Sequence, residues 1–225
     1  MDAEFNRVYH PGSSMREEGD RRVVRARHLF QLNLDLGGRP CLVVGGDGEA
    51  LEKTERLIEC EADVTLVSPI VLPRLEELAR AGRLRWEARR YRPGDEAGRY
   101  FVLNCVKTDP ALSAELFQRC SAAGILISSY DQPEASLATM AALVRAGSMR
   151  LAISSDGESP AVARKLRIEL EKLLDDRFAR FVEWVAAYRK KMTDEGVPPE
   201  ERKRRLRDLM AGFEISGTIK YPESF

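Results

Sequence analysis

Four consecutive apolar residues, Cys41-Leu42-Val43-Val44, run straight into Gly45-Gly46, and apolar-facing positions then return at Leu51, Thr54, Leu57 and Ile58. A short continuous apolar run suits a strand covered on both faces, and the later spacing is that of a helix. A strand buried on both sides needs helices on both sides, so this strand–glycine turn–helix passage commits the chain to an α/β architecture. The passage recurs. Residues 64–67 read as a second strand, and Leu75, Leu78 and Ala79 mark a helix closed by Gly82. Residues 84–86 suit a third strand and 100–106 form the clearest central one. Leu112, Leu116, Phe117 and Cys120 give another helix, with Gly124 just past its end, where left-handed backbone is common. Residues 125–127 follow as a strand. The expected fold class is α/β, a Rossmann-like parallel sheet with short connections.

After Pro133 the pattern changes. The spacing predicts a helix over 134–146 ending at Gly147, then a strand over 149–154. Ser159 and Pro160 open a long helix as N-cap and first residue, with Val162, Leu166, Leu170 and Leu173 as its buried stripe. Phe178, Phe181, Val182, Val185 and Tyr188 continue the helical spacing, and 197–211 form a charged last helix. At the other end, residues 1–27 mix both charges with Pro11, Gly12, Ser13 and Ser14 and read as a flexible N-terminal extension. No internal repeat interrupts this order.

Composition narrows the function classes. Lys and Arg total 36 and Asp and Glu total 36, so the net charge is zero. Nucleic-acid affinity rests mainly on phosphate neutralisation, and this chain offers no excess cation for it. No apolar run approaches about 18 residues, and residues 1–27 hold no apolar signal core, so the expectation is a cytoplasmic protein without a membrane span. Cys41, Cys60, Cys105 and Cys120 lack C-x-x-C spacing and sit in apolar contexts, which suits reduced core thiols rather than a metal site. The only histidines, His10 and His28, fall near the N-terminus.

Three segments carry chemistry. In Val44-Gly45-Gly46-Asp47-Gly48-Glu49-Ala50 a helix N-terminus follows a buried strand, where backbone N–H groups and the helix dipole favour a pyrophosphate. Read from Gly45, the second fingerprint glycine is replaced by Asp47; read from Gly46, Gly48 fits but Leu51 takes the last position. A tight strand-to-helix turn without a cofactor accounts for the same residues. The second strand ends at Val67-Ser68, without the acid that often holds the ribose. In Ser128-Ser129-Tyr130-Asp131-Gln132-Pro133, Asp131 stands at the carboxyl end of a strand, where open α/β sheets bind ligands, and suits a general base; it equally suits a turn before Pro133. In Ile153-Ser154-Ser155-Asp156-Gly157-Glu158-Ser159-Pro160, hydroxyls precede a helix start and could receive a small anion, while capping alone accounts for Ser159.

In order along the chain, these segments resemble the precorrin-2 dehydrogenase/sirohydrochlorin ferrochelatase family, the siroheme-synthase N-terminal-like proteins. The likeness runs from about Leu29 to beyond Tyr188. It rests on 34–39 before the Leu-Val-Val-Gly-Gly turn, on 62–69, on 108–112, on the Tyr130-Asp131-x-Pro133 turn, and above all on 151–166. The resemblance implies a Rossmann-like NAD-binding domain over 28–137, a dimerisation segment over 138–172 and a helical C-terminal region over 173–225. It implies NAD-dependent oxidation of precorrin-2 to sirohydrochlorin, with insertion of ferrous iron in some members. It places the catalytic acid on Asp131, the NAD contacts on Gly48, Glu49, Pro69 and Ile70 alongside Gly45 and Gly46, and an anion-contacting serine on Ser155. Ser128 stands where the family carries Asn. Arg145, Arg150, Arg164 and Lys165 are candidate clamps for the carboxylates of the tetrapyrrole, against a solvated surface as the plainer account. The chain departs from the family at Asp47, Glu49 and 106–109; there Lys107 is a cation that could offset the two acids. A chelatase without dehydrogenase activity, and a non-catalytic tetrapyrrole- or partner-binding homodimer, remain alternatives.

Overall fold

A computed structural model describes residues 29–221; the expected extension over 1–27, with His10 and His28, lies outside the described residues. The chain divides between Gln31 and Leu32, and the second unit, Leu32–Phe225, holds every strand and helix described. Its first half alternates strand and helix: β1 (Pro40–Val44), α1 (Gly48–Glu59), β2 (Asp63–Val67), α2 (Pro73–Arg80), β3 (Arg85–Glu87), β4 (Phe101–Asn104), α3 (Pro110–Ala123) and β5 (Leu126–Ser129). The five strands form one sheet in the order β3-β2-β1-β4-β5, every pair parallel. Strand order reverses between β1 and β4, where Val44 is in register with Asn104.

Alternate residues of each strand feed two cores, as the period of two demands. Cys41 and Val43 of β1 join Leu66, Leu103, Ala50, Leu57 and Leu75 beneath α1 and α2. Leu42 and Val44 join Val67, Val102, Ile127, Leu116 and Cys120 beneath α3. The starts of α1 and α3 are fixed by side-chain caps. The side chain of Asp47 accepts from the N–H of Ala50, and that of Asp109 from Leu112, each satisfying an amide the helix itself leaves open. Gly124 ends α3 in the left-handed conformation at φ 68°. Of the four thiols, Cys41, Cys105 and Cys120 are buried as expected; Cys60 caps the C-terminal end of α1 and is exposed.

The second half corrects the sequence reading at one element. The predicted helix over 134–146 is instead a single 3₁₀ turn, Pro133–Ala135, followed by strand β6 (Ala142–Ala146), which pairs antiparallel with β7 (Met149–Ile153). The alanine-rich composition suggests helix, but tertiary pairing overrides that propensity. Val144 and Ala146 turn inward while Arg145 turns out, and Gly147 takes φ 58° in a two-residue hairpin loop, the conformation such loops favour. Three helices complete the chain: α4 (Pro160–Leu173), α5 (Asp176–Asp194) and α6 (Pro199–Met210). A third core joins Val144, Ala146 and Leu174 with Leu151, Ile153, Leu170 and Phe178.

The expected buried stripe on α4 is only partly covered. Leu170 packs in this core, but Val162, Leu166 and Leu173 are exposed, because the hairpin covers only one edge of the helix. On α5, Phe181 stacks against Phe213 and near Trp184, and Trp184 against Tyr188. Among the described residues no helix is long and apolar enough to cross a membrane.

The β3–β4 connection is held by charge. Arg89 donates twice to the carboxylate of Asp95, at 2.7 and 2.8 Å, and also pairs with Glu87. Glu96 is buried; it accepts from Tyr91 Oη at 2.6 Å and from the Gly94 N–H at 2.9 Å, with Arg119 at 3.5 Å. The hydrogen bond from Arg89 holds Asp95 below its ordinary value. Burial pushes Glu96 up, but the bonds from Tyr91 and the backbone and the Arg119 charge outweigh it, leaving it lowered from 4.5. A carboxyl depressed by folding stabilises the native state above its unfolded value, and that contribution is lost as pH falls through the folded one. Urea midpoints measured downward from neutrality should therefore hold until about pH 4.5 and then decline, and Glu96→Gln should lower the midpoint at neutral pH while flattening that decline.

Candidate functional site

The glycine turn after β1 is shaped by close approaches. A Cβ on Gly46 would stand 2.1 Å from the carbonyl oxygen of Ile70 and 2.7 Å from Ser68 Oγ, so this position admits glycine alone. The Gly46 carbonyl in turn accepts from the N–H of Leu72 at 2.9 Å, tying the β2–α2 loop onto the turn. Gly45 takes φ 124°, and a Cβ there would meet Cys105 Cβ at 3.1 Å across the β1–β4 boundary. Gly48 has open space above it.

An open cleft of about 760 Å³ lies over this turn, lined by Gly45, Gly46, Gly48, Glu49, Asp47 and Ile70 on one side and by 105–108 and Tyr130 on the other. It occupies the strand-order reversal at the carboxyl ends of β1 and β4, where open α/β sheets take their ligands. At its floor, burial pushes the Cys105 thiol up to about 12, with the Asp47 charge adding to the effect. Ser68 is buried and spends its hydroxyl on the Ile70 carbonyl at 2.6 Å, so the ribose acid missing from the sequence is not replaced by a free hydroxyl there.

Asp47 does what the sequence did not suggest. Its carboxylate turns onto the N–H of Ala50 at 3.1 Å. A carboxylate thus already sits at the helix N-terminus, on an amide that would otherwise favour an incoming anion.

The lip beyond β5 carries a second cluster. Asp131 follows Tyr130 at φ 58°, a left-handed conformation that Asp tolerates better than most residues. It is held there by the N–H of Tyr130 donating to the Asn104 carbonyl and that of Gln132 to the Ser129 carbonyl. Its carboxylate lies 3.2 Å from Lys107 Nζ, and the ammonium stands 5.6 Å from the centre of the Tyr130 ring. The bond to Asp131 raises the Lys107 ammonium above its usual value. The phenol of Tyr130 is raised by the charge of Glu49 and by a side-chain hydrogen bond to it. Glu49, Tyr130, Lys107 and Asp131 thus form one polar chain from the start of α1 to the end of β5. No spacing along the sequence announces it, because 82 residues separate the first member from the last.

Of the remaining site candidates, Pro69 is exposed beside Ile70 without lining the cleft. Ser128, Ser155 and Arg145 do not line it either. Ser128 is half-buried within β5. The hydroxyl of Ser155 accepts from the N–H of Ser159 at 3.1 Å, so it steadies the start of α4, where Ser159 itself makes no side-chain cap. Arg145 is ion-paired at 2.8 Å with Glu59, the last residue of α1. Arg150 donates to the Gly147 and Met149 carbonyls and Lys165 pairs with Glu169, both on exposed faces.

A parallel sheet reversing between β1 and β4, with a glycine-walled cleft at the reversal, defines a Rossmann-type nucleotide fold. Residues 32–142 match a family described as "Putative NAD(P)-binding". The chain is 32% identical over 153 residues to Siroheme synthase 2 of Halorhodospira halophila, covering 67% of this chain and 31% of the relative. It is 31% identical over 185 residues to Siroheme synthase 1 of Aeromonas salmonicida, covering 82% of this chain and 39% of the relative. The chain therefore spans well under half the length of these curated relatives. Among solved structures, the precorrin-2 dehydrogenase SirC shares the fold with a TM-score of 0.71 at 22% identity, over 82% of this chain and 90% of that one. The chain belongs to the precorrin-2 dehydrogenase/sirohydrochlorin ferrochelatase family, the siroheme-synthase N-terminal-like proteins.

Proposed function

We propose that this chain acts in siroheme biosynthesis, oxidising precorrin-2 to sirohydrochlorin with NAD as acceptor. The observation that carries this reading is the glycine-walled cleft at the sheet's switch point with a carboxylate, Asp131, at its lip, in a chain of this family. The cleft fits a dinucleotide in its main features: Gly46 allows only a bare backbone, and Gly48 leaves room beside the first turn of α1. Gly45, Gly46, Gly48 and Glu49 would hold the pyrophosphate side through their main chain, and Ile70 would border the adenosine. A bound nicotinamide supplies the acceptor for a hydride.

The oxidation removes two hydrogens from the substrate. One leaves as hydride and the other as a proton, which Asp131 takes and passes to solvent. The carboxylate is exposed and sits on a turn fixed by two backbone hydrogen bonds, so it can meet a large, flat substrate without rearrangement. The same carboxylate could take pyrrole protons as ferrous iron enters the product. Asp47 favours a second reading. Its bond to the Ala50 amide places a negative charge where pyrophosphate would approach, which suits a chelatase or a tetrapyrrole-binding protein that no longer uses NAD.

The exposed apolar faces support a homodimer. Val162, Leu166 and Leu173 of α4 and Trp184 of α5 face solvent in one chain, and apolar faces of this kind suit a subunit contact. Light scattering of the purified chain at micromolar concentration should give twice the monomer mass.

Asp47→Gly should tighten NAD binding, because it removes the competing carboxylate and costs the helix only a few tenths of a kcal/mol at an N-cap. Isothermal calorimetry reads this directly. Weaker or unchanged binding would favour the second reading.

Asp131→Asn preserves the left-handed turn that an alanine would strain, and removes the proton acceptor. Precorrin-2 oxidation followed by absorbance should fall by roughly 10²–10⁴-fold, the usual share of a general base, with circular dichroism unchanged. Full activity in the folded variant would refute the role.

A further inference from the structure

We infer that Lys107 is a shared cation, paired with Asp131 while the cleft is open and taken by the pyrophosphate of a bound dinucleotide, which frees the Asp131 carboxylate. This rests on the dinucleotide reading of the cleft. Among the described residues, the charges that line the cleft are Asp47, Glu49 and Lys107, one cation against two carboxylates. A pyrophosphate adds two more negative charges, and Asp47 has already taken the Ala50 amide. The ligand needs a counter-ion, and Lys53 of α1, which does not line the cleft, already lies between Glu49 at 3.4 Å and Glu52 at 3.3 Å.

Lys107 is built to be transferred. Its pair with Asp131 is made between side chains that are 54% and 68% exposed, and ion pairs in water hold weakly. Lys107 lines the cleft, and its ammonium lies 3.2 Å from the Asp131 carboxylate just past β5. The Tyr130 ring, 5.6 Å from the ammonium, also lines the cleft, so it can support the cation at either position. A phosphate oxygen competes well for it, because a lysine pairs with phosphate as a mobile point charge.

Moving the ammonium does two things at once. It neutralises part of the ligand's charge, and it leaves Asp131 without its counter-ion, ready to take a proton only when the acceptor is already in place. Linkage requires the reverse as well: whatever removes the Asp131 charge must strengthen dinucleotide binding through Lys107.

The experiment is a double-mutant cycle on the full chain, with NAD titrated by calorimetry. Lys107→Met should weaken binding by about tenfold or more, as loss of a charge-assisted contact does, and Lys107→Arg should restore most of it. Asp131→Asn should tighten binding by about two- to fivefold, the scale of an exposed ion pair, and should do so only where Lys107 is present. An equal gain in the Lys107→Met background, or no gain at all while NAD still binds, would overturn the shared-cation inference and leave the dinucleotide reading standing. Binding detectable in none of the wild type, Asp131→Asn and Lys107→Arg proteins, all folded by circular dichroism, would overturn the dinucleotide reading itself.

Discussion

The contact on which the site depends is between two stretches of backbone. The carbonyl of Ile70 comes within 2.1 Å of where a side chain on Gly46 would begin, and Leu72 donates back to the Gly46 carbonyl. Nothing but hydrogen fits between these strands of chain. That approach brings the loop after β2 over the turn after β1, and so sets one wall of the cleft. The other wall follows from sheet register, since pairing Val44 with Asn104 brings Gly45 against Cys105. The cleft is thus a product of main-chain packing, and side chains only decorate it.

Those decorations alter the electrostatics more than the geometry. In a loop of this kind the helix N-terminus presents unpaired amides, and an anion completes them. Here Asp47 completes one from within the protein. The same residue stabilises α1 and discourages the ligand, two effects of one hydrogen bond. Lys107 acts in the opposite sense from the far wall. The electrostatics of the loop are therefore a balance between an anion fixed on the helix start and a cation on the opposite wall.

The fold is legible in the sequence wherever the burial pattern is two-sided. Residues 41–44 and 64–67 read as covered strands from their short apolar runs, and they pair in register in the sheet. The segment 134–146 misleads because its information lies elsewhere. Alanine, leucine and valine in that order satisfy a helix or a strand, and the decision is made by β7, which pairs with 142–146 residue for residue. The stripe on α4 suggests burial because apolar spacing says which face seeks cover, while the amount of cover comes from the hairpin. In the site, the glycine turn announces itself, since only tight backbone demands such residues between a strand and a helix. The meeting of Glu49, Tyr130, Lys107 and Asp131 does not, because it depends on the ends of three strands arriving at one place. The hydroxyl of Ser155 shows the converse: a residue that looks free for a ligand is used to start a helix.

The thiol beneath the cleft has a consequence for the chemistry above it. Cys105 is buried, and burial holds its proton on up to about 12, so at physiological pH almost none of it is thiolate, the form that attacks electrophiles and peroxides. A floor made of a protonated sulfur is soft enough to pack closely against Gly45 yet inert toward oxidants and alkylating agents. Reagents of that kind would find Cys60 at the exposed end of α1 and leave the cleft untouched. The protein therefore keeps a polarisable sulfur at the floor of its cleft without making that cleft a point of chemical ageing.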